Sequence, residues 1–341
     1  PNQVEIIDES QGLSDNRIHS FFKDRQGYIW IGTANGLNRY DGRSFRIYSP
    51  ANKMDYLSSE FINSITEDSK GNLWIATRGG LNILDARRDS VTIYKPGSNS
   101  ASQDATVIPS AWIWDVDIAG DGSVWLAPDA RDLASFDPVT KTFSYYPWMK
   151  FAREQVPQRS NPYFSIRKII PKSDTEWWLG TNVGLYSFNR ATEQFTYYGG
   201  ENGGDVWLLE YDASAGRVYF AQEAGNLYSF SVPENKIRVW TKNQLNVLAA
   251  SGFADASLAG GFLIPMKQTI LRFSEGEEDP DVILLNNVFE DADQFNNATQ
   301  IFTDDQHIRW IGTDNGILKL DPKLNLFHFV RAHPDRSEWR I

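Results

Sequence analysis

"GYIWIGTANGLNRYDG", residues 27–42, reads as two short strands folded about a turn. Alternating apolar and aromatic residues on either side of an Asn-Gly step are the local signals of a hairpin. Residues 307–322, "HIRWIGTDNGILKLDP", repeat the same order: WIGT, a polar turn with Asn-Gly, an apolar pair and an Asp. Setting Trp30 in register finds Trp74 in "GNLWIATRGGLNILD", Trp125 in "GSVWLAPDARDLASFD", Trp178 in "TEWWLGTNVGLYSFN" and Trp310. Weaker copies put Tyr219 ("GRVYFAQEAGNLYSF") and Phe262 or Leu263 ("GGFLIPMKQTILRF") in that place, and the copies recur every 40 to 53 residues.

Each unit reads as four strands, in the first copy 16–24, 28–33, 36–41 and 44–48, separated by Asp, Gly and Asn turns. The interval from the first strand's apolar start to the Trp is constant: Ile18 to Trp30, Ile62 to Trp74, Ile113 to Trp125, Ile166 to Trp178. Radially repeated four-stranded units of this length describe a propeller, whose aromatics fill the widening gaps between sheets. The expected fold is all-β, a seven-bladed β-propeller of four-stranded antiparallel blades over residues 1–330. The blades are expected near 12–48, 57–94, 108–146, 162–198, 204–240, 246–285 and 296–330, with 331–341 as an exit segment toward a following domain. Eight outer-strand candidates, "VEII" (4–7) among them, compete for seven places. If 4–7 join the last blade, the residues from 327 onward are surplus to the ring.

On this reading the repeated Trp residues are core, Asp24, Asp68 and Asp304 start the turn before the Trp strand, and Gly27, Gly71 and Gly122 take positive φ there. Composition agrees with short strands and tight turns: of 341 residues 13% are aromatic and 25 are Gly. A net charge of −11 repels phosphate backbones and anionic headgroups, so neither nucleic acid nor a membrane surface is an expected partner. The absence of Cys excludes disulfides, Cys-ligated zinc and thiol catalysis. No stretch reaches the roughly 18 apolar residues of a spanning helix. The chain starts Pro1-Asn2, without Met or an apolar leader, as a processed protein or a piece of a longer one would.

The segment "GLSDNRIHSFFKDRQGYIWIGTANGLNRYDGRSFRIY" (12–48), echoed at 57–94 and 296–330, resembles the two-component regulator propeller repeat. The resemblance implies the periplasmic sensor of a Bacteroides-type hybrid two-component system. Such a receptor carries a second propeller, a β-sandwich domain, a membrane helix and a histidine kinase, and is expected to be a homodimer. It implies an oligosaccharide signal, and no kinase motif occurs in these 341 residues.

The residues give no sign of catalysis in this chain. His19, His307, His328 and His333 have no metal-site spacing, and neither a G-x-S-x-G elbow nor a nucleotide loop occurs, so no metal and no cofactor is expected. "DRQGYIW" is superficially like a sialidase Asp box, with one residue too many between Asp24 and Gly27. A propeller glycosidase stays open as the lesser alternative, since two carboxylates can meet near the channel. The acidic runs 274–281 and 290–294 read as solvated loops.

A ligand would meet the rim formed by the loops that enter each first strand and the turns between second and third strands. Departures from the repeat there single out Arg78 in the second blade, Trp112, Asp129 and Arg131 in the third, Tyr163 in the fourth and Trp207 in the fifth. Aromatic rings stack on sugar faces and guanidinium forks hold carboxylate or sulfate, which suits an oligosaccharide, an acidic one in particular. The competing reading is a scaffold propeller that binds only a partner protein.

Overall fold

In a computed structural model the described residues lie between 4 and 331. Outside them are 1–3, 53–55, 98–106, 109, 159–160, 162, 200–203, 214–215, 223–225, 242–260, 267–268, 275–280, 285–297, 322–329 and 332–341. The chain folds into a ring of four-stranded antiparallel sheets. Blade one comprises Ile18–Lys23, Ile29–Thr33, Gly36–Tyr40 and Phe45–Tyr48. Blade two follows with Ile62–Glu67, Leu73–Thr77, Leu81–Leu84 and Val91–Tyr94. Blade three has Ile113–Ile118, Val124–Pro128, Leu133–Asp137 and Thr142–Tyr146, and blade four Ile166–Pro171, Glu176–Thr181, Gly184–Asn189 and Gln194–Tyr197. Blade five is Val206–Asp212, Arg217–Gln222, Asn226–Ser231 and Lys236–Thr241. The last blade takes Ala298–Thr303, Arg309–Thr313 and Gly316–Leu320, and borrows Val4–Ile7 as its outer strand, Val4 opposite Leu320 and Ile7 opposite Ile317.

The expected count of seven blades is corrected to six by these pairings. Six blades are complete, inner strand to outer strand, among the described residues. The remaining four-stranded sheet, Gly261–Met266, Thr269–Ser274, Asp281–Leu284 and Val330–Arg331, is not another copy of the unit. Its Gly261–Met266 strand meets the last blade's inner strand as a second strand would, and the inner strand expected after 246 falls outside the described residues. Its edge is filled by Val330, paired with Val282, so the outer strand expected for the last blade sits on a different sheet. The physical reason is visible in the sequence. The stretch 241–295 has lost the Trp landmark and the Asp-x-x-Gly turn, and an apolar outer strand alone does not specify a whole unit. The exit segment beyond 331 and most of both acidic runs also lie outside the described residues.

What holds the blades is the packing expected of the Trp landmarks. Trp30, Trp125 and Trp178 are wholly buried, and Trp74 and Trp310 nearly so. Trp30 lies 5.5 Å from Tyr48 and Trp125 5.1 Å from Trp177, ring centre to ring centre. Asp24, Asp68 and Asp304 start their turns and also accept the indole N–H of Trp30, Trp74 and Trp310 at 2.8, 3.1 and 3.2 Å. A buried indole donor without such a partner would cost stability. Gly27, Gly71 and Gly122 have φ of 92, 87 and 83°, as that turn requires. The small residue after the Trp strand's second apolar position has another cause: a Cβ on Gly32 would stand 2.2 Å from Ser20 Oγ and 2.8 Å from Ile62 Cγ2. Neighbouring inner strands approach too closely there for any larger side chain.

One helix, Trp148–Gln155, was not expected. It bridges blades three and four, burying Trp148 and Ala152, one turn apart, on its inner face. Trp148 stands edge-on to Tyr186 at 5.9 Å, so the helix caps blade four rather than interrupting the ring.

Candidate functional site at the mouth of the channel

The six inner strands share an irregularity. In each, the ladder to the second strand shifts after the first paired residue, leaving one residue bulged out of register: His19, Asn63, Trp114, Arg167, Trp207 and Thr299. A bulge re-aims a side chain and is a designed feature of sheets that carry sites. Five of these six side chains, from five blades, line a single cavity of about 450 Å³; with them are Arg17, Phe61, Arg78, Gln300 and Asp314. The side chain of Trp207 lies outside the described residues.

The turns between second and third strands come to the same rim because each bonds the residue ahead of the inner strand. Arg78 N donates to Phe61 O at 3.3 Å, Asp129 N to Trp112 O at 2.8 Å and Asn182 N to Ser165 O at 3.0 Å. Around the axis, side chains stitch one inner strand to the next: Thr299 to Ile18 O at 3.0 Å, Asn63 to Ile113 O at 2.7 Å, Gln300 to His19 O.

Two clusters stand on this rim. In the first, the Arg78 guanidinium lies 3.4 Å from the ring centre of Phe61 and 4.2 Å from that of Trp112. His19 meets Phe61 edge-on at 4.4 Å. Burial, with Arg78 and Arg17 nearby, pushes the His19 imidazole down to about 4, so it is neutral at pH 7. Trp112 and Trp114, 4.6 Å apart, join this cluster to the second.

There Asp129 Oδ1 accepts from Trp114 Nε1 at 2.7 Å, from Ser165 Oγ at 2.9 Å and from the Tyr163 hydroxyl. Arg167 lies over Trp114 at 4.2 Å and pairs with Asp129 at 3.6 Å and Asp205 at 3.5 Å. The Tyr163 phenol is raised above its ordinary range by burial and by the Asp129 bond.

The structure therefore brings Arg78 to Trp112, and Asp129 to Tyr163, with Trp114 between the pairs. The turn passes through Ala130 at φ 50°, and the Arg131 guanidinium bonds Ala130 O at 2.9 Å; Arg131, like Trp112, Asp129 and Tyr163, stands outside the lining of the cavity itself. Arg167 and Phe61 were not singled out from sequence, and of the bulge ring only Trp207 was. The bulge positions hold His, Asn, Trp, Arg and Thr, so no repeat marks them. Only their shared offset, one residue after the apolar start of each first strand, could have done so.

A wider depression of about 700 Å³ lies at the other end of the inner strands, between the last blade and blades one and two, lined by Lys23–Gly27, Glu67 and Thr303–Gln306. Its main charged groups are engaged: Asp24 and Asp304 bond their own loops and their Trp, and Arg25 bonds Glu67, Asp68 O and Ser69 O of the next blade. Among the described residues no group of three His, Asp or Glu could hold a metal ion, and no helix is long and apolar enough to cross a membrane.

Comparison with known proteins agrees with the repeat reading. Residues 12–35 and 56–79 match the two component regulator propeller family. A histidine kinase of Formosa agariphila is 43% identical over 37 residues, 11% of this chain and 3% of the kinase. The chain superposes on the extracellular domain of a B. thetaiotaomicron hybrid two component system with a TM-score of 0.68 at 19% identity, covering 94% of this chain and 42% of that one. A second B. thetaiotaomicron extracellular domain, described as that of a one component system, gives 0.70 at 19%, covering 95% and 42%. Streptogramin B lyase gives 0.68 at 12% identity over 96% of this chain and 97% of the lyase. The chain thus spans about two fifths of the length of the two-component domains it resembles, and these likenesses establish the fold.

Proposed function

We propose that this chain, which carries two component regulator propeller repeats, is the non-catalytic, ligand-recognising propeller of an extracytoplasmic receptor. The axial cavity is its binding site. One observation carries the reading: the blades repeat wherever they pack, and differ at the one bulged position per blade that faces the axis. A rim of stacked Trp and Arg side chains suits an oligosaccharide, with Arg78, Trp112, Asp129 and Tyr163 as contacts. The fold alone does not separate recognition from catalysis, because a lyase shares it. Against catalysis stands the state of two carboxylates beside the cavity: Asp129 and Asp205 are both engaged by Arg167, and Asp314 is the one carboxylate among the described lining residues. In this reading the whole receptor is periplasmic in its sensor part and a histidine kinase in its output. A second propeller, a β-sandwich domain and a homodimeric partner complete it, and ligand affinity must differ between two receptor states for a signal to pass.

A scaffold role has one observation in its favour: Ile237 and Val239 are exposed on the outer strand of blade five. Thermal unfolding against neutral, uronic and sulfated oligosaccharides separates the two. A ligand at 100 times its dissociation constant adds about 2.7 kcal/mol. A raised midpoint for one class supports recognition by this propeller, and no shift with any class favours the scaffold.

A further inference from the structure

Most charges at the channel mouth have partners. Arg17 forms a two-pronged pair with Asp15 at 3.0 and 2.8 Å, and Arg167 faces Asp129 and Asp205. Arg78 differs. Among the described residues no carboxylate pairs with it; its guanidinium is held by the faces of Phe61 and Trp112 while the side chain stays exposed to the cavity. Ring faces satisfy part of the charge, but they offer no oxygen acceptor to the guanidinium's N–H donors. The clamp also removes the rotamer freedom that an exposed arginine would lose on binding, so the fork is set in advance. Its neighbour His19 is neutral at pH 7 and adds no competing cation.

We propose that Arg78 is an oxyanion receptor: the channel mouth takes a ligand bearing one carboxylate or sulfate, gripped in the plane of a ring-clamped guanidinium. The inference rests on the cavity being the recognition site and adds its charge selectivity. One guanidinium without an acid partner, against two that have one, fits a ligand with a single anionic group rather than a polyphosphate. The net charge of −11 makes this local cation a discriminating feature, since the surrounding field opposes weakly held anions.

The test uses the 341-residue chain labelled with ¹⁵N, at constant ionic strength, titrated with galacturonate, sulfate and galactose. The Arg78 Nε–H resonance lies between two rings, stands apart by ring current and is assigned by its loss in Arg78→Lys. The expected result is a saturable shift of that resonance with galacturonate and with sulfate, none with galactose, and at least about tenfold weaker galacturonate binding by Arg78→Gln. The melting midpoint of Arg78→Gln should be close to that of the parent chain. If galactose and galacturonate bind equally and Arg78→Gln binds both as before, the oxyanion proposal is overturned while ligand recognition stands. If neither anion moves the Arg78 resonance saturably, the proposal is overturned; a flat unfolding panel in addition removes the recognition site itself.

Discussion

Arg88 of blade two reaches into blade one and pairs with Asp24, Nη2 to Oδ2 at 3.1 Å, with both side chains almost wholly buried. The same guanidinium bonds Gly71 O at 2.7 Å and lies 3.5 Å from Glu67, and Asp24 also holds the Trp30 indole. Removing one partner leaves a buried charge unanswered. Arg88→Ala should therefore lower stability by about 3–5 kcal/mol in denaturant unfolding. A loss under about 1 kcal/mol would mean that water replaces the pair.

The close approach at Gly32 gives a second prediction. Gly32→Val must displace Ser20 or the inner strand of blade two, since even a Cβ meets Ile62 at 2.8 Å. The expected cost is about 1–3 kcal/mol by urea titration. At Gly42 a Cβ would meet nothing within 4 Å, so a substitution there would strain only the backbone, held at φ 95°.

Ring closure is testable through Ile7, which is buried opposite Ile317. Ile7→Ala should cost about 2–5 kcal/mol. Deleting residues 1–7 should leave the last blade's Gly316–Leu320 strand as an open edge and promote association, measured by light scattering.

Two half-buried groups pull stability in opposite directions as pH changes. Burial, and the charge of Asp115, raise the Asp117 carboxyl to about 6. The native state then binds more protons than the unfolded chain between pH 4 and 6, so stability falls as pH rises through that window. Asp117→Asn should be more stable than the parent at pH 7.5 and lose the advantage below pH 4. His19, lowered to about 4, acts with the other sign: the unfolded chain binds more protons between pH 4 and 6.5, and stability falls on acidification. His19→Gln should flatten that loss. Unfolding free energies across pH 3.5–8 check both.

The blade core was legible because its parts repeat: the buried Trp, the Asp that bonds its indole and the Gly after it recur at fixed intervals. The blade count was not, because 261–284 lacks those parts and the Val330–Arg331 pairing joins residues far apart in sequence. The helix at 148–155 was hidden by its aromatic content, since Trp148 and Phe151 read as strand residues when the helical spacing of Trp148 and Ala152 is overlooked. At the rim, Arg78, Trp112, Asp129, Tyr163 and Trp207 were singled out as departures from a pattern, whereas Arg167, at a bulged position where every blade differs, was not. Arg131 was placed on the rim by its position in the turn, where the left-handed backbone at Ala130 now sets its direction.

The strand at Val4–Ile7 has a consequence for biosynthesis. Glu5 and Lys319, bonded across the closing ladder, are separated by 314 positions. At about 5–20 residues per second the ribosome needs about 15–60 s to cover that distance, so the strand that closes the ring waits for its partner that long. Early blades can form while the ring is still open, and their unpaired edge must be shielded for that interval.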